Sequence, residues 1–340
     1  MIKNLLLPRF FKFQKYLSAR DEFFGAAKIF LDANENPFGD NFENRYPPKN
    51  HDKLRREIAN FYGVKSFKNV GIGNGSDEIL DFLTRIFCAP EKDKIAFCPP
   101  TFEMYSVVAN LNNLQKIEIP RGENFEILPE KICAQKAKIL FLCSPNNPTG
   151  NSISREKISK ICEKFSGMVV VDEAYADFCP EKSAVNLLEK YENLVIVKTF
   201  SKAFGLAGRR VGFFFAAKKI VDIFLAAKMP YNVNFFSADA AIKKLKNPEK
   251  VFSEIQKIKC EKNRVEHFLK KNSAVEKVFP SDANFFLVRF FDAEKIFQKL
   301  LKNGLVVRNF SKKRFLKNCL RISIGAKTEN DFLFKILSKK

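Results

Sequence analysis

The sequence predicts an α/β fold in which helices cover a mainly parallel sheet. Helical and strand-like patterns alternate along most of the 340 residues, with no internal repeat and no low-complexity linker. Hydrophobic residues make up 46% of the chain and charged residues 29%, a mixture typical of a soluble globular protein with a sizeable core. No apolar run approaches the ~20 residues that a membrane-spanning helix needs. We therefore expect two domains or one large α/β unit, with no membrane partner.

Two amphipathic helices come first. Residues 53–62 place Leu54, Ile58 and Phe61 on one face, and residues 76–87 form a second helix after a polar turn. The runs that follow are short and apolar, which is typical of strands, and a helix over 154–165 separates two of them. The predicted strands are 94–98, 139–143, 168–171, 194–197 and 211–215.

The last third of the chain predicts a smaller α+β domain, which begins with a long amphipathic helix over 247–271. The helix residues expected to face inward are Val251, Phe252, Ile255, Ile258, Val265 and Leu269. The shorter elements after it are strands at 284–289, 305–307 and 320–324 and a closing helix near 329–337. We predict a large domain over 40–240, with 1–39 as an N-terminal arm and 241–340 as the small domain.

The net charge of +21 does not identify a partner. The basic residues are spread along the chain, and the longest basic run is the triplet at 312–314. A nucleic-acid-binding surface needs basic and aromatic side chains interleaved on one face, and no segment has that pattern. A genome composition that inflates Lys and Phe is the favoured explanation of the charge, and an anionic substrate is an alternative. We predict no nucleic-acid partner.

The eight cysteines indicate a reducing compartment. None forms a C-x-x-C pair, and the chain has only two histidines, so the pattern of a zinc site is missing. Several cysteines lie within apolar runs such as 139–143, where a free thiol behaves as a small hydrophobic side chain. The prediction is no metal site and a cytoplasmic location.

Polar residues interrupt the ends of three apolar strands, and a fourth polar segment opens a helix. Ligands of open α/β sheets bind outside the carboxyl ends of the strands, so these segments can converge on one site. The four segments are Ser-Pro-Asn-Asn-Pro-Thr-Gly at 144–150, Val-Asp-Glu-Ala-Tyr at 171–175, Thr-Phe-Ser-Lys-Ala-Phe-Gly-Leu-Ala-Gly-Arg-Arg at 199–210, and Gly-Asn-Gly-Ser-Asp at 73–77.

The residue types in these segments suit a cofactor with an aldehyde, a phosphate and a ring nitrogen. Lys202 can form an imine with an aldehyde if its pKa is lowered. Arg210 offers a forked donor to a phosphate, and the helix start at Ser76 and Asp77 offers free amides to the same anion. Asp172 can accept a hydrogen bond from a protonated ring nitrogen. Pyridoxal 5′-phosphate carries all three groups and is the predicted cofactor.

In these and other segments the chain resembles the fold-type I pyridoxal-phosphate aminotransferases and, within them, the histidinol-phosphate aminotransferase family. The resemblance covers nearly the whole chain. It implies a fold-type I architecture, with a mainly parallel seven-stranded sheet in the large domain and a smaller α+β domain. The further matching segments are 18–22 (Ser-Ala-Arg-Asp-Glu), 31–39, 44–47, 99–105, 281–285, 304–308 and 320–325.

The activity that the resemblance implies is transamination between L-histidinol phosphate and 2-oxoglutarate, which yields glutamate, in histidine biosynthesis. One alternative keeps the fold but decarboxylates a phosphorylated amino acid, as threonine-phosphate decarboxylase does. Another is an aminotransferase for other phosphorylated or aromatic amino acids. The segments at 18–22 and 34–37 favour the first activity over decarboxylation.

The resemblance also implies a role for each matched residue at the cofactor. Lys202 would bond to the aldehyde carbon and later carry the proton. Asp172 would keep the ring nitrogen protonated. Tyr175 and Asn147 would bond the phenolic oxygen, and Phe102 would stack on the ring. The residues implied for the phosphate are Ser76, Asp77, Thr199, Ser201 and Arg210.

Substrate and subunit contacts follow from the same resemblance. Arg321 would pair with a carboxylate of the amino donor or acceptor, and Arg308 and Tyr105 would face the substrate's phosphate. The resemblance implies that Asn34 would also bind the substrate. Tyr46 would reach the cofactor of the neighbouring subunit, which implies a homodimer.

Overall fold

A seven-stranded sheet forms the centre of the large domain. The computed structural model describes residues 5–11, 28–40 and 43–338. The strands of the sheet are β1 Val70–Asn74, β2 Lys94–Phe97, β3 Gln115–Glu118, β4 Ile139–Cys143, β5 Met168–Asp172, β6 Leu194–Thr199 and β7 Val211–Ala216. Their order is β1-β7-β6-β5-β4-β2-β3, and only the pairs that involve β7 are antiparallel. The predicted mainly parallel sheet is confirmed.

Two hydrophobic cores lie on opposite faces of this sheet. Leu140 and Leu142 of β4 belong to one core, and Ile139 and Phe141 belong to the other. Successive side chains of a strand point to opposite faces, so a strand covered on both sides is apolar throughout. The helices of this domain are α1 Asp52–Tyr62, α2 Gly75–Phe87, α3 Met104–Leu111, α4 Pro129–Cys133, α5 Arg155–Lys164, α6 Lys218–Ala227 and α7 Phe235–Lys246.

A four-stranded antiparallel sheet forms the second unit. Its elements are α8 Pro248–Lys271, β8 Val275–Val278, β9 Phe285–Phe290, α9 Ala293–Lys302, β10 Arg308–Asn309, β11 Cys319–Ser323 and α10 Lys327–Ser338. The strand order is β10-β11-β9-β8. This small sheet confirms the predicted second α+β unit. Within the described ranges, no helix is both long and apolar enough to cross a bilayer.

Helix α8 contributes to the cores of both units. Val251 and Ile255 pack with the large-domain core, whereas Val265 and Leu269 pack with the small-domain core. The predicted division at residue 240 lies inside α7. The first half of α8 therefore belongs to the large-domain core and the second half to the small-domain core. The domain bounds at residues 40 and 240 stay a prediction.

Several local features differ from the sequence prediction. The sequence pattern does not predict strands β1 and β3, because the first is rich in glycine and the second is a mostly exposed edge strand. The strand predicted at 305–307 lies instead at β10. Gly304, with a φ of 78°, ends α9, and the Leu305 amide still donates to the Leu300 carbonyl at 3.0 Å. Phe252 is 52% exposed, because it lies one helix position beyond the inward-facing Val251.

Candidate functional site

A cavity of about 350 Å³ lies at the carboxyl ends of β4, β5 and β6. The polar segments after these strands meet there with the first turn of α2, as the topology predicts. Strands β10 and β11 of the small sheet contribute the opposite wall. The sequence-predicted residues that line the cavity are Ser76, Asp77, Phe102, Asn147, Asp172, Tyr175, Thr199, Ser201, Lys202, Arg210, Arg308 and Arg321.

Asp172 is the last residue of β5 and is only 2% exposed. Burial raises the pKa of its carboxyl to about 6, because the charged form loses water. Two hydrogen bonds oppose that rise: the Tyr105 hydroxyl donates to Oδ2 at 2.9 Å, and the Ala174 amide donates to Oδ1 at 3.2 Å. The chain thus holds an ionisable carboxyl group in a fixed orientation at the base of the cavity.

Lys202 follows β6, and its ammonium lies 5.5 Å from the centre of the Tyr175 ring. Burial of the ammonium and the positive charge of Arg321 lower the Lys202 pKa, and Asp172 and Asp77 act in the opposite direction. A lowered pKa increases the fraction of neutral amine, which is the nucleophilic form.

Lys198 has the opposite environment, although it is only four residues earlier in the chain. Burial disfavours its charge, but Asp177 and Glu173 outweigh burial and raise its pKa. Its Nζ lies 2.9 Å from Asp177 and 3.4 Å from Glu173. Lys198 therefore remains a protonated partner of two carboxylates, and it does not line the cavity around Lys202.

An anion-binding corner forms where α2 begins beside β7. Gly212 allows the close approach, since a Cβ there would lie 2.4 Å from the backbone of Gly75 and Ser76. The Arg210 guanidinium reaches the same corner, with Nη2 3.4 Å from Asp77 Oδ2. Backbone amides at a helix start and a guanidinium together favour a phosphate. On the adjoining segment, the Ser201 amide donates to Thr199 Oγ1 at 3.1 Å.

Two arginines of the small sheet face the cavity from neighbouring strands. Arg308 of β10 and Arg321 of β11 are directly paired across the ladder. Arg321 Nη1 donates to Asn147 Oδ1 at 2.5 Å, while its Nε is buried and has no hydrogen-bond partner among the described residues. Arg308 lies 3.7 Å from a carboxylate oxygen of Glu103. This wall therefore presents two positive charges to a ligand.

Aromatic side chains bound the cavity on two sides. The Tyr175 ring packs edge-on against Phe285, with ring centres 5.2 Å apart. Burial raises the pKa of its hydroxyl, which therefore stays protonated and able to donate. Phe102 lies at the other side, edge-on to Tyr105 at 5.7 Å.

Tyr105 does not lie at the substrate end of the cavity, where the resemblance places it. It is fully buried on α3, its ring stacks on Phe141 at 5.0 Å, and its hydroxyl points to Asp172. A side chain in this position cannot contact a phosphate in the cavity. The structure therefore corrects the expectation that Tyr105 contacts the substrate's phosphate.

Tyr46 and Asn34 are not brought to the Lys202 cavity either. They line a second cavity, which also includes Phe236. Tyr46 is 50% exposed, and its ring stacks on Tyr231 with centres 4.7 Å apart. The matching segment at 18–22 lies outside the described residues.

Several residues that line the Lys202 cavity are not predicted from the sequence. These residues are Thr101, Glu103, Cys143, Ala174 and Phe310. Thr101 and Glu103 lie in the matching segment at 99–105, which could have indicated them. Cys143 looks like an ordinary strand residue, and Phe310 reaches the cavity only because β10 pairs with β11.

The sequence model of the family described as aminotransferase class I and II matches residues 33–337. The chain belongs to this family. The class I and II aminotransferases depend in general on pyridoxal phosphate. An aminotransferase relative from Christiangramia forsetii, named histidinol-phosphate aminotransferase, is 43% identical over 98% of this chain and 96% of its own length. A relative of the same name from Bacteroides thetaiotaomicron is 41% identical over 99% of this chain and 98% of its own length.

Solved aminotransferases share the fold. The histidinol-phosphate aminotransferase from Clostridium acetobutylicum has a TM-score of 0.79 at 28% identity, over 86% of this chain and 89% of that chain. The enzyme of that name from Sinorhizobium meliloti, in complex with pyridoxal-5′-phosphate, has a TM-score of 0.79 at 22% identity, over 86% and 83% of the two chains. At that identity the second likeness shows the aminotransferase fold alone.

Proposed function

We propose that the protein is a pyridoxal-phosphate-dependent histidinol-phosphate aminotransferase, which transfers an amino group from L-histidinol phosphate to 2-oxoglutarate. The observation that carries the substrate assignment is the 41–44% identity to proteins of that name over 95–99% of the chain. Arg308 and Arg321 in the cavity wall support it, because both substrates are anions and guanidinium groups bind phosphates and carboxylates through paired donors.

The donor set of the cavity fits pyridoxal phosphate. It combines a buried carboxyl group, an amine with a lowered pKa and an anion-binding helix start beside an arginine. When bound, pyridoxal phosphate supplies an electron sink that stabilises negative charge at the substrate's Cα. Ser76, Asp77 and Arg210, with Thr199 and Ser201, would hold the phosphate.

The remaining residues of the cavity would act on the ring and on the reacting carbon. Lys202 would hold the cofactor through its Nζ between turnovers, and its free amine would accept and return the proton of the substrate. Asp172 keeps the ring nitrogen protonated by facing it with a negative charge. Tyr175 and Asn147 donate to the phenolic oxygen, and Arg321 orients the Asn147 amide by donating to its oxygen.

The substrate's anionic groups would be bound by the small-sheet wall. Arg321, which lines the cavity, would bind a carboxylate of 2-oxoglutarate or glutamate through its guanidinium group. Arg308 takes the phosphate of histidinol phosphate. Glu103 lies beside Arg308 and also pairs with Lys313 at 2.8 Å, so the incoming phosphate competes with a carboxylate for both cations.

The proposed reaction is tested by adding histidinol phosphate to the purified protein loaded with pyridoxal phosphate. We expect the visible absorption band to shift, and added 2-oxoglutarate to restore it and yield glutamate. Phosphothreonine and aromatic amino acids are tested in parallel. Carbon dioxide release from phosphothreonine without glutamate formation would contradict the proposal and favour the decarboxylase alternative.

We further propose a homodimer in which Tyr46 serves the neighbour's site. Tyr46 and Asn34 lie outside the Lys202 cavity of their own chain, and the segment around Asn34 carries strongly exposed apolar side chains. Leu31 is 89% exposed and Phe38 is 90% exposed. Exposed apolar side chains of this kind favour an interface, and a second copy of the chain is the proposed cover.

Mixed dimers test this arrangement. A Lys202→Ala chain keeps Tyr46, and a Tyr46→Phe chain keeps Lys202, so a heterodimer contains one site with both residues intact. We expect purified heterodimers to recover about half the wild-type activity per dimer, above either parent, because one site in two is complete. Verified heterodimers with no recovery would mean that Tyr46 acts within its own chain or away from the site.

The cytoplasmic location stays a prediction.

A further inference from the structure

The Tyr105 side chain is fully buried and does not line the Lys202 cavity. Its hydroxyl is 2.9 Å from Asp172 Oδ2, and the ring is held by stacking on Phe141 with an interplanar angle of 6°. We propose that Tyr105 is a positioning residue whose hydroxyl keeps the Asp172 carboxylate oriented and charged toward the cofactor's ring nitrogen. This inference rests on the proposed function, since the ring nitrogen belongs to pyridoxal phosphate.

The Tyr105 hydrogen bond has a strong influence because Asp172 has few other stabilising partners. The carboxylate accepts one hydrogen bond from Tyr105 and one from the Ala174 amide. Burial raises the pKa of Asp172, and the Tyr105 hydroxyl is the largest effect that opposes it. Asp77 raises the pKa further, and Lys202 lowers it. Loss of the hydroxyl therefore favours the neutral acid.

The neighbours of Tyr105 leave Asp172 as the group that titrates near neutral pH. Burial and Asp172 raise the Tyr105 pKa well above its usual value, so the hydroxyl remains a donor. Burial raises the pKa of Cys143 to about 12, which keeps its thiol protonated. Burial lowers the pKa of Arg121, and its Nε and Nη1 donate to the carbonyls of Cys98 and Phe125 rather than to Tyr105 or Asp172.

The chain offers a matched control for this pair. Tyr191 is also a buried tyrosine, and its hydroxyl donates to the Glu163 carboxylate at 2.5 Å. Neither residue lines the Lys202 cavity. Tyr105→Phe and Tyr191→Phe each remove one hydroxyl bonded to a carboxylate, but only the first removes a partner of Asp172.

The experiment measures the protonation of the ring nitrogen in the holoenzyme with ¹⁵N-labelled pyridoxal phosphate. In Tyr105→Phe we expect the ¹⁵N signal to move from the protonated toward the neutral position. The pH below which cofactor binding weakens (the acid limb of the binding profile) should rise by about one pH unit. The value of kcat should fall about tenfold with little change in KM. Tyr191→Phe should match the wild type. In an Asp172→Asn background, Tyr105→Phe should cause no further change in the ¹⁵N signal.

Site-specific replacement of Tyr105 by 3-fluorotyrosine gives a second test that keeps the ring shape. The fluorinated phenol is a stronger donor, so the acid limb should shift downward. A folded Tyr105→Phe protein with wild-type ¹⁵N signal and pH profile would overturn the inference, even if turnover fell. An unshifted acid limb in the fluorotyrosine protein would overturn it independently. If the wild-type protein binds no pyridoxal phosphate, the proposed function fails instead.

Discussion

Lys202→Ala is expected to reduce amino transfer by at least about 10²–10⁴-fold, the usual contribution of a positioned acid–base group. Among the described residues that line the cavity, Lys202 is the only lysine. Its removal takes away both the attachment point of the cofactor and the amine that moves the proton. Lys198 cannot replace it, because Asp177 and Glu173 hold its ammonium protonated outside the cavity.

Borohydride reduction of the holoenzyme, followed by peptide mapping, measures the attachment directly. We expect the pyridoxyl group on Lys202 in the wild type and no stable label in Lys202→Ala. Lys160→Ala is a suitable control, since this exposed lysine pairs with Glu130 of α4 and does not line the Lys202 cavity. It should retain both label and turnover. A label on Lys198, or on any lysine other than Lys202, would contradict the assignment.

Asp172→Asn is expected to keep the fold and the bound cofactor but to lose about 10²–10³-fold in kcat, the typical cost of removing one electrostatic contact to developing charge. The anion-binding corner at Ser76 and Arg210 is unchanged in this variant, so the phosphate of the cofactor still has its binding site. The ring nitrogen, however, would face a neutral amide and would no longer be held protonated. Steady-state kinetics and cofactor absorbance separate the two effects.

The pH dependence gives an additional readout for Asp172. Burial raises its pKa to about 6 in the folded protein, so the carboxylate is present above that pH and is lost as pH falls through it. Cofactor affinity in the wild type should therefore weaken below about pH 6, whereas Asp172→Asn should lack this acid limb. Glu163→Gln, which removes a carboxylate that also accepts from a tyrosine, should behave as wild type. Near-normal turnover in Asp172→Asn would exclude Asp172 from the mechanism.

The sequence alone determined most of the fold, because local patterns carry that information. Strands buried on both faces must be apolar throughout, so β4 and β5 were predicted within one residue. Polar residues that directly follow such strands must lie at one edge of a parallel sheet. Asp172, Asn147 and Lys202 were therefore predicted to be close together, and all three line one cavity.

Only the tertiary structure decided the orientation and the pKa of the site residues, because both depend on which groups face each other. Tyr105 lies three residues from Phe102, yet stacking on Phe141 turns it beneath the cavity toward Asp172. Lys198 and Lys202 are the same residue type on one segment of the chain. The pKa of Lys198 is raised because two carboxylates surround it, whereas the pKa of Lys202 is lowered. Orientation and pKa depend on neighbours that are distant in the chain, and a pattern of residue types along the sequence does not contain them.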